Sequence, residues 1–410
     1  MDGSAADLEA EARAQAASWP VGVIGAGAMG AGIAQVAARA GHPVVLADAS
    51  AAAVERAREQ LRTTLARDVE KQRLRVADAE AIGGRITFIA GVDDLAAFAS
   101  CALVVEAIIE RLEPKQELFA RLQPLLGPCA VLASNTSSLS IAAIGARCAH
   151  PERVVGLHFF NPAPVMPLVE IVPGIDPLDR DDPGHPHRLT ELMRLWRKVP
   201  VIASDTPGFI VNRVARPYYG EAIRLLDEGV ADCATIDWAL RSIGGFKMGP
   251  FELMDFIGHE VNFAVTCSVY EAMFHDPRYR PSLTQQRLVQ AGRLGRKTGR
   301  GFYDHTPGAA APTPTEDRVL GESIVQRIVA MLINEACDAV HLGVATADDV
   351  DLAMTKGVNY PRGLLAWGDA IGPATVLATL DALADEYRED RYRASVYLRR
   401  AVQHGRPLVP

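Results

Sequence analysis

Two kinds of hydrophobic patterning divide this 410-residue chain. Up to about residue 203, short continuous apolar runs alternate with longer stretches of helical period. The runs are VGVI at 21–24, PVVLAD at 43–48, RITFI at 85–89, ALVVEA at 102–107, AVLASN at 130–135 and RVVGLHF at 153–159. Runs this short, bounded by turn formers and separated by helical segments, predict buried parallel strands and an α/β domain on a doubly wound sheet. One more run, LVEIV at 168–172, follows a turn containing Pro162, Pro164 and Pro167 that is short enough to return the chain beside the preceding strand.

Beyond residue 203 the pattern turns helical and repeats. IVNRVARPYYGEAIRLLDEGVADCATIDWAL, from Ile210, aligns with IVQRIVAMLINEACDAVHLGVATADDVDLAM, from Ile324. Glu221 and Glu335, Gly229 and Gly343, Asp237 and Asp351 are each 114 residues apart, as are Asp255 and Asp369, Gly258 and Gly372. Two copies of one helical unit are expected. Positions shared by both copies serve packing and turns; Asn212 is an exception, since Gln326 replaces it in the second copy. HTPGAAAPTPTEDR at 305–318 has a linker's composition. The expected organisation is an extension at 1–19, a sheet domain at 20–203, a helical domain at 204–304, a linker at 305–321 and a second helical copy at 322–410.

Composition narrows the partners. A hydrophobic content of 49% allows a sizeable core, and a net charge of −8 argues against a general nucleic-acid or anionic-membrane binder. A polyanionic ligand then requires a local basic patch. Six scattered cysteines without a CxxC pair indicate neither a disulfide framework nor a zinc site, so a reducing, cytoplasmic setting is expected. The first twenty residues lack the basic and apolar regions of a signal peptide and read as a helical or frayed extension. No run reaches the roughly 18 to 20 apolar residues of a membrane-spanning helix.

The sequence between the first strand and first helix is GAGAMGAGIAQVAARAG, with Gly25, Gly27 and Gly30 in GxGxxG spacing. The first glycine permits a tight turn, the second lets a pyrophosphate approach the backbone, and the third lets helix and strand pack closely. The second strand ends in Asp48, about 20 residues on, where a ribose-binding acid belongs. Asp48 would repel a 2′-phosphate, and no arginine follows it at Ala49 or Ser50, so NAD is favoured over NADP. The first domain is therefore expected to be a Rossmann-type sheet.

Ligands of such sheets lie beyond the carboxyl ends of the strands. Glu106 and Glu110, the SNTSS segment at 134–138, and His158 with Asn161 all fall there. If the strand carrying Glu170 returns beside the one carrying His158, the carboxylate can fix the imidazole tautomer and leave the other ring nitrogen as a base. Beside a nicotinamide, that pair suits removal of an alcohol proton while hydride leaves the same carbon.

The order GAGAMGAGIAQ, VVEAIIE, ASNTSSL, GLHFFNPAPVM, DTPGFIVNR, MGPFELMDFIG and GRKTGRGFYD resembles the (S)-3-hydroxyacyl-CoA dehydrogenases over about residues 20–305. The resemblance implies NAD-dependent interconversion of 3-hydroxyacyl-CoA and 3-oxoacyl-CoA. It makes His158 the general base, Glu170 its orienting partner, and Ser137 and Asn212 donors to the reacting oxygens. It also makes Asn161, Glu110, Lys115 and Lys297 cofactor-side contacts, and sets Thr64 and Lys71 against coenzyme A, with Ser137 also on the substrate side. Pro167 departs from the lysine of many relatives. RVARPYYGEA, GHEVNFAVTCSVYEA and RPSLTQQRLVQAGRLGRKTG look like the branch acting on 3-hydroxyadipyl-CoA and 3-hydroxybutyryl-CoA in phenylacetate catabolism. Relatives with one helical unit pair it between chains, so a homodimer or a pseudo-dimeric monomer is expected. The alternatives are a sugar-acid dehydrogenase of related fold and a catalytically silent, crystallin-like NAD binder.

Overall fold

A computed structural model of the chain describes residues 19–175 and 184–409. The expected N-terminal extension lies almost wholly outside the described residues. The chain divides into two compact units, Met1–Asp205 and Thr206–Pro410.

The first unit is built on eight strands: β1 Val21–Ile24, β2 Val44–Asp48, β3 Ile86–Ala90, β4 Leu103–Glu106, β5 Val131–Ser134, β6 Val154–Phe159, β7 Leu168–Val172 and β8 Val199–Ile202. Its helices are α1 Ala28–Ala40, α2 Ala51–Glu70, α3 Val76–Gly84, α4 Leu112–Leu122, α5 Ile141–Gly145 and α6 Pro186–Leu195. The strand order is β3-β2-β1-β4-β5-β6-β7-β8. The strands from β3 to β6 are mutually parallel, β7 runs antiparallel to β6, and β8 is parallel to β7. This is the expected Rossmann-type sheet. β1, β4, β5, β6 and β7 are buried along their whole length, which is why they read as continuous apolar runs.

Strand order reverses at β1, which lies between β2 and β4 and pairs Ile24 with Glu106. The crevice outside this reversal is where such sheets take ligands. α1 crosses β1 so closely that a Cβ on Gly30 would stand 1.8 Å from the Gly25 carbonyl oxygen. The helix stops at Gly41, which takes φ +109° and closes the last turn as only glycine does without strain.

The second unit is helical: α7 Val211–Val214, α8 Arg216–Asp227, α9 Cys233–Trp238, α10 Pro250–Ile257, α11 His259–Ala272, α12 Leu283–Gln290, α13 Arg318–His341, α14 Ala347–Gly357, α15 Leu364–Ile371, α16 Pro373–Tyr387 and α17 Val396–His404. No helix among the described residues is long and apolar enough to cross a membrane. The stretch with a linker's composition, 305–318, ends where the next helix begins. Asp317 accepts hydrogen bonds from the amides of Val319 and Leu320, and this cap starts α13 at Arg318.

The repeated positions perform the same tasks twice. Asp237 accepts the amides of Phe251 and Glu252 at 2.9 Å each, and Asp351 accepts those of Leu365 and Ala366 at 2.7 and 2.9 Å. Asp255 takes the amides of Phe302 and Tyr303; Asp369 takes those of Leu408 and Val409. The contacts between copies are reciprocal. Arg213 of the first copy bonds Glu335 of the second at 2.7 Å, while Arg327 of the second bonds Glu221 of the first at 3.1 Å. Tyr279 donates to Glu335 as Tyr392 donates to Glu221. Residue i meeting j while j's equivalent meets i's is the rule of an isologous interface, realised here inside one chain.

Both glutamates are buried, so removing either strands guanidinium groups in a dry interior. Glu221→Ala and Glu335→Ala are each expected to cost roughly 3–5 kcal/mol of folding stability. Urea denaturation followed by far-UV circular dichroism checks both the size of the losses and their similarity.

Candidate active site

The antiparallel register of β6 and β7 places His158 directly opposite Glu170. Side chains so paired share one face of the sheet. The His158 Nδ1 to Glu170 Oε2 distance is 2.6 Å, with Glu170 fully buried and His158 6% exposed. With the carboxylate accepting from Nδ1–H, the Nε2 edge is the basic one. Asn161, exposed, opens the turn that follows β6.

A second carboxylate cluster braces the neighbouring loops. Glu106, at the end of β4, accepts from Lys115 Nζ, the Ile108 amide and Ser134 Oγ, each at 2.6 Å. Lys115 is 1% exposed and also reaches Glu110 Oε2 at 3.1 Å. The other oxygen of Glu110 accepts from Thr136 Oγ1 at 2.6 Å, the Ser137 amide at 3.0 Å and Ser138 Oγ at 3.1 Å. The loop carrying Ser137 is thus pinned to the loop after β4. Asn135 then ties it to β6 by accepting the Phe159 amide at 2.9 Å. Burial raises the Glu110 pKa, but the Lys115 charge and the bonds from Thr136 and Ser137 outweigh it and hold the carboxyl below its ordinary range.

At the glycine-rich turn, Gly25 takes φ +107° and its amide bonds the Ala47 carbonyl at 2.8 Å. A Cβ on Gly27 would meet nothing within 4 Å, and no side chain caps α1 there. The space and uncapped amides fit a pyrophosphate. Asp48 accepts from the Ala26 amide at 2.7 Å and the Ser50 amide at 2.8 Å, so it stands beside the same turn.

The structure places Glu110, Ser137 and Asn161 on the loops after β4, β5 and β6, with His158 near the end of β6, its partner Glu170 on β7 and Lys115 on α4; Gly25 and Gly27 follow β1, Gly30 lies in α1 and Asp48 ends β2. Lys115, expected as a cofactor contact, is a buried tie between two carboxylates. Thr64 is half-buried on α2, and Lys71, just past its end, is exposed and pairs with no carboxylate among the described residues. Arg58 and Arg62 on the same helix are committed to Glu55 and Glu59. Asn212 and Lys297 belong to the second unit, where Asn212 lies on α7 and Lys297 pairs with Glu260. Sequence reasoning placed the SNTSS segment here without giving Asn135 and Thr136 separate roles, and it missed Asp205. Asp205 accepts the Ile141 and Ala142 amides at 3.0 and 2.9 Å and fixes the start of α5. An aspartate just before a proline-glycine turn carries no sign of a partner more than sixty residues away.

A glycine-rich turn at the switch point of a doubly wound sheet, an acid ending the second strand and a carboxylate-oriented histidine define a dinucleotide-linked oxidoreductase. Residues 20–206 match the 3-hydroxyacyl-CoA dehydrogenase NAD binding domain, and residues 208–305 and 324–408 match the C-terminal domain of that family. The chain belongs to the 3-hydroxyacyl-CoA dehydrogenase family. It is 41% identical to 3-hydroxyadipyl-CoA dehydrogenase of Escherichia coli K12 over 92% of this chain and 96% of that one. It is 42% identical to 3-hydroxybutyryl-CoA dehydrogenase of Bradyrhizobium diazoefficiens over 72% of this chain and 97% of that one. The crystal structure of 3-hydroxybutyryl-CoA dehydrogenase from E. coli K12 matches with a TM-score of 0.87 and 40% identity, covering 95% of this chain and 99% of that one.

The depressed Glu110 pKa has a defined stability consequence. A carboxyl held below its unfolded value of 4.5 adds stability that is full above that value and is lost as pH falls through the folded pKa. Glu110→Gln is expected to be less stable than the parent at neutral pH, with the gap closing on acidification below about pH 4.5. Urea melts at a series of pH values measure this directly.

Proposed function

We propose that the protein is an NAD-dependent (S)-3-hydroxyacyl-CoA dehydrogenase, interconverting 3-hydroxyacyl-CoA and 3-oxoacyl-CoA, with 3-hydroxybutyryl-CoA or 3-hydroxyadipyl-CoA as substrate. The observation that carries the reading is the 2.6 Å bond between His158 on β6 and Glu170 on β7, in the same sheet whose first strand leads into the glycine-rich turn. His158 Nε2 takes the proton of the 3-hydroxyl, and Glu170 stabilises the imidazolium that results. Bound NAD supplies the hydride acceptor. Ser137 and Asn212 donate hydrogen bonds to the substrate oxygens, and the apolar walls around the pair exclude water.

Gly25, Gly27 and Gly30 give the pyrophosphate its approach, and Asp48 accepts from the ribose hydroxyls. Asn161, Glu110, Lys115 and Lys297 complete the cofactor side, Lys115 by setting the position and charge of Glu110. Thr64 and Lys71 meet coenzyme A; an unpaired exposed ammonium is what a phosphate needs in a chain of net charge −8. The second helical copy acts as the first copy's internal partner, a role supported by the reciprocal Arg213–Glu335 and Arg327–Glu221 pairs. A cytoplasmic setting is supported by six cysteines that are all free.

Mixing the protein with NADH and acetoacetyl-CoA, or a dicarboxylic homologue, is expected to consume NADH, read as the fall of its near-ultraviolet absorbance. If no 3-oxoacyl-CoA supports oxidation, the reading is wrong. His158→Gln is expected to lower kcat by on the order of a hundredfold or more, as loss of a general base does. NADH affinity, followed by nucleotide fluorescence, is expected to persist in that variant.

A further inference from the structure

The first unit buries two lysines. Lys115 lies between two carboxylates, whereas Lys198, 8% exposed immediately before β8, pairs with no carboxylate among the described residues. Burial alone pushes its ammonium down to about 8. An uncompensated ammonium in such surroundings is costly, and an apolar residue of similar length would fill the space without that cost. The lysine must therefore be held for its hydrogen bonds.

Those bonds go to a single place. Lys198 Nζ donates to the Ala163 carbonyl and, at 2.8 Å, to the Met166 carbonyl, while the next amide, Val199, donates to Pro167 at 2.8 Å. Ala163, Met166 and Pro167 form the turn between the strands of His158 and Glu170. Within the turn itself, the amides of Val165 and Met166 both bond the Pro162 carbonyl at 2.9 Å, which leaves the Ala163 and Met166 carbonyls to Lys198. On its other side Ala163 and Pro164 pack on Gly32 of α1, where a Cβ would lie 3.2 and 3.0 Å from them. The turn is clamped between β8 and the helix that carries the glycine motif.

We propose that Lys198 is a positioning residue for the dehydrogenase reaction: its ammonium fixes the 161–167 turn and thereby sets where His158 and Glu170 stand relative to the glycine-rich turn. The role rests on the function proposed above. It requires no contact between Lys198 and any reacting atom. Removing both donors leaves two carbonyls unsatisfied and lets the turn shift, and displacement of a catalytic base by about 1 Å costs up to about a hundredfold in rate.

The test uses Lys198→Met and Lys198→Gln in the full chain. Lys198→Met is expected to lower kcat with acetoacetyl-CoA and NADH roughly 10- to 100-fold, with KM and NADH affinity little changed. Lys198→Gln, which keeps N–H donors on a shorter stem, is expected to lie between Met and the parent. The low-field proton resonance of the His158 Nδ1–H, assigned by its loss in Glu170→Gln, should shift in both variants while far-UV circular dichroism stays unchanged. Parent-like kcat and an unmoved resonance in a folded variant would overturn the proposal, as would a kcat loss matched by lost NADH affinity. If Lys198→Met does not fold, Lys198→Gln decides alone by the same two readouts. A parent protein that turned over no 3-oxoacyl-CoA would sink the dehydrogenase reading, while the resonance would still report whether Lys198 sets the turn.

Discussion

Much of the site depends on β7 running against the direction of its neighbour. Parallel strands need a crossover of a dozen or more residues, so a parallel β7 could not place a partner for His158 within twelve positions. The antiparallel return makes the connecting turn lie at the carboxyl edge of the sheet, the same edge as the glycine-rich turn and the loops after β4 and β5. Register then settles the chemistry. A slip of one residue would turn Glu170 to the opposite face and leave both a histidine and a carboxylate buried without partners. The buried Val169 and Ile171 on either side of Glu170 resist that slip, because it would exchange their places with a charge.

Around this pair the loops are held by internal ionic bonds. Lys115, between Glu106 and Glu110, neutralises much of the acidic charge that β4 brings to the edge. Glu110 then uses its second oxygen to gather Thr136, Ser137 and Ser138. An anionic ligand thus meets a mouth in which the carboxylates are already committed. The same logic applies to Asp48, whose two oxygens are shared with backbone amides of the turn and of α2's start, so that its position is fixed ahead of any ribose.

The sequence carried the strands, the glycine spacing, Asp48 and the His158–Glu170 pair because each has a local signal: an apolar run, a fixed spacing, or two ionisable residues flanking a short turn. It did not carry the partners of isolated charges. Lys115 in a helix reading LEPKQELFARL looks solvated, and its burial follows only from the two acids that the sheet sets above it. Lys198 in RKVPV looks the same, since the carbonyls it holds lie more than thirty residues away.

The duplicated helical unit separates scaffold from chemistry within one molecule. Where Asp237 and Asp351, or Asp255 and Asp369, recur, both copies use them on backbone amides, so their presence reports folding and not function. Even the segments they hold differ in sequence, Phe302 and Tyr303 in one copy and Leu408 and Val409 in the other, because the shared contact is to backbone amides; Asp255 in addition bonds the imidazoles of His259 and His305. Asn212 breaks the pattern. Its counterpart Gln326 spends its amide on Thr379 Oγ1 at 2.9 Å inside its own copy. A position relieved of the shared task is free to differ, and the copy adjoining the sheet domain in sequence is the one that keeps the asparagine.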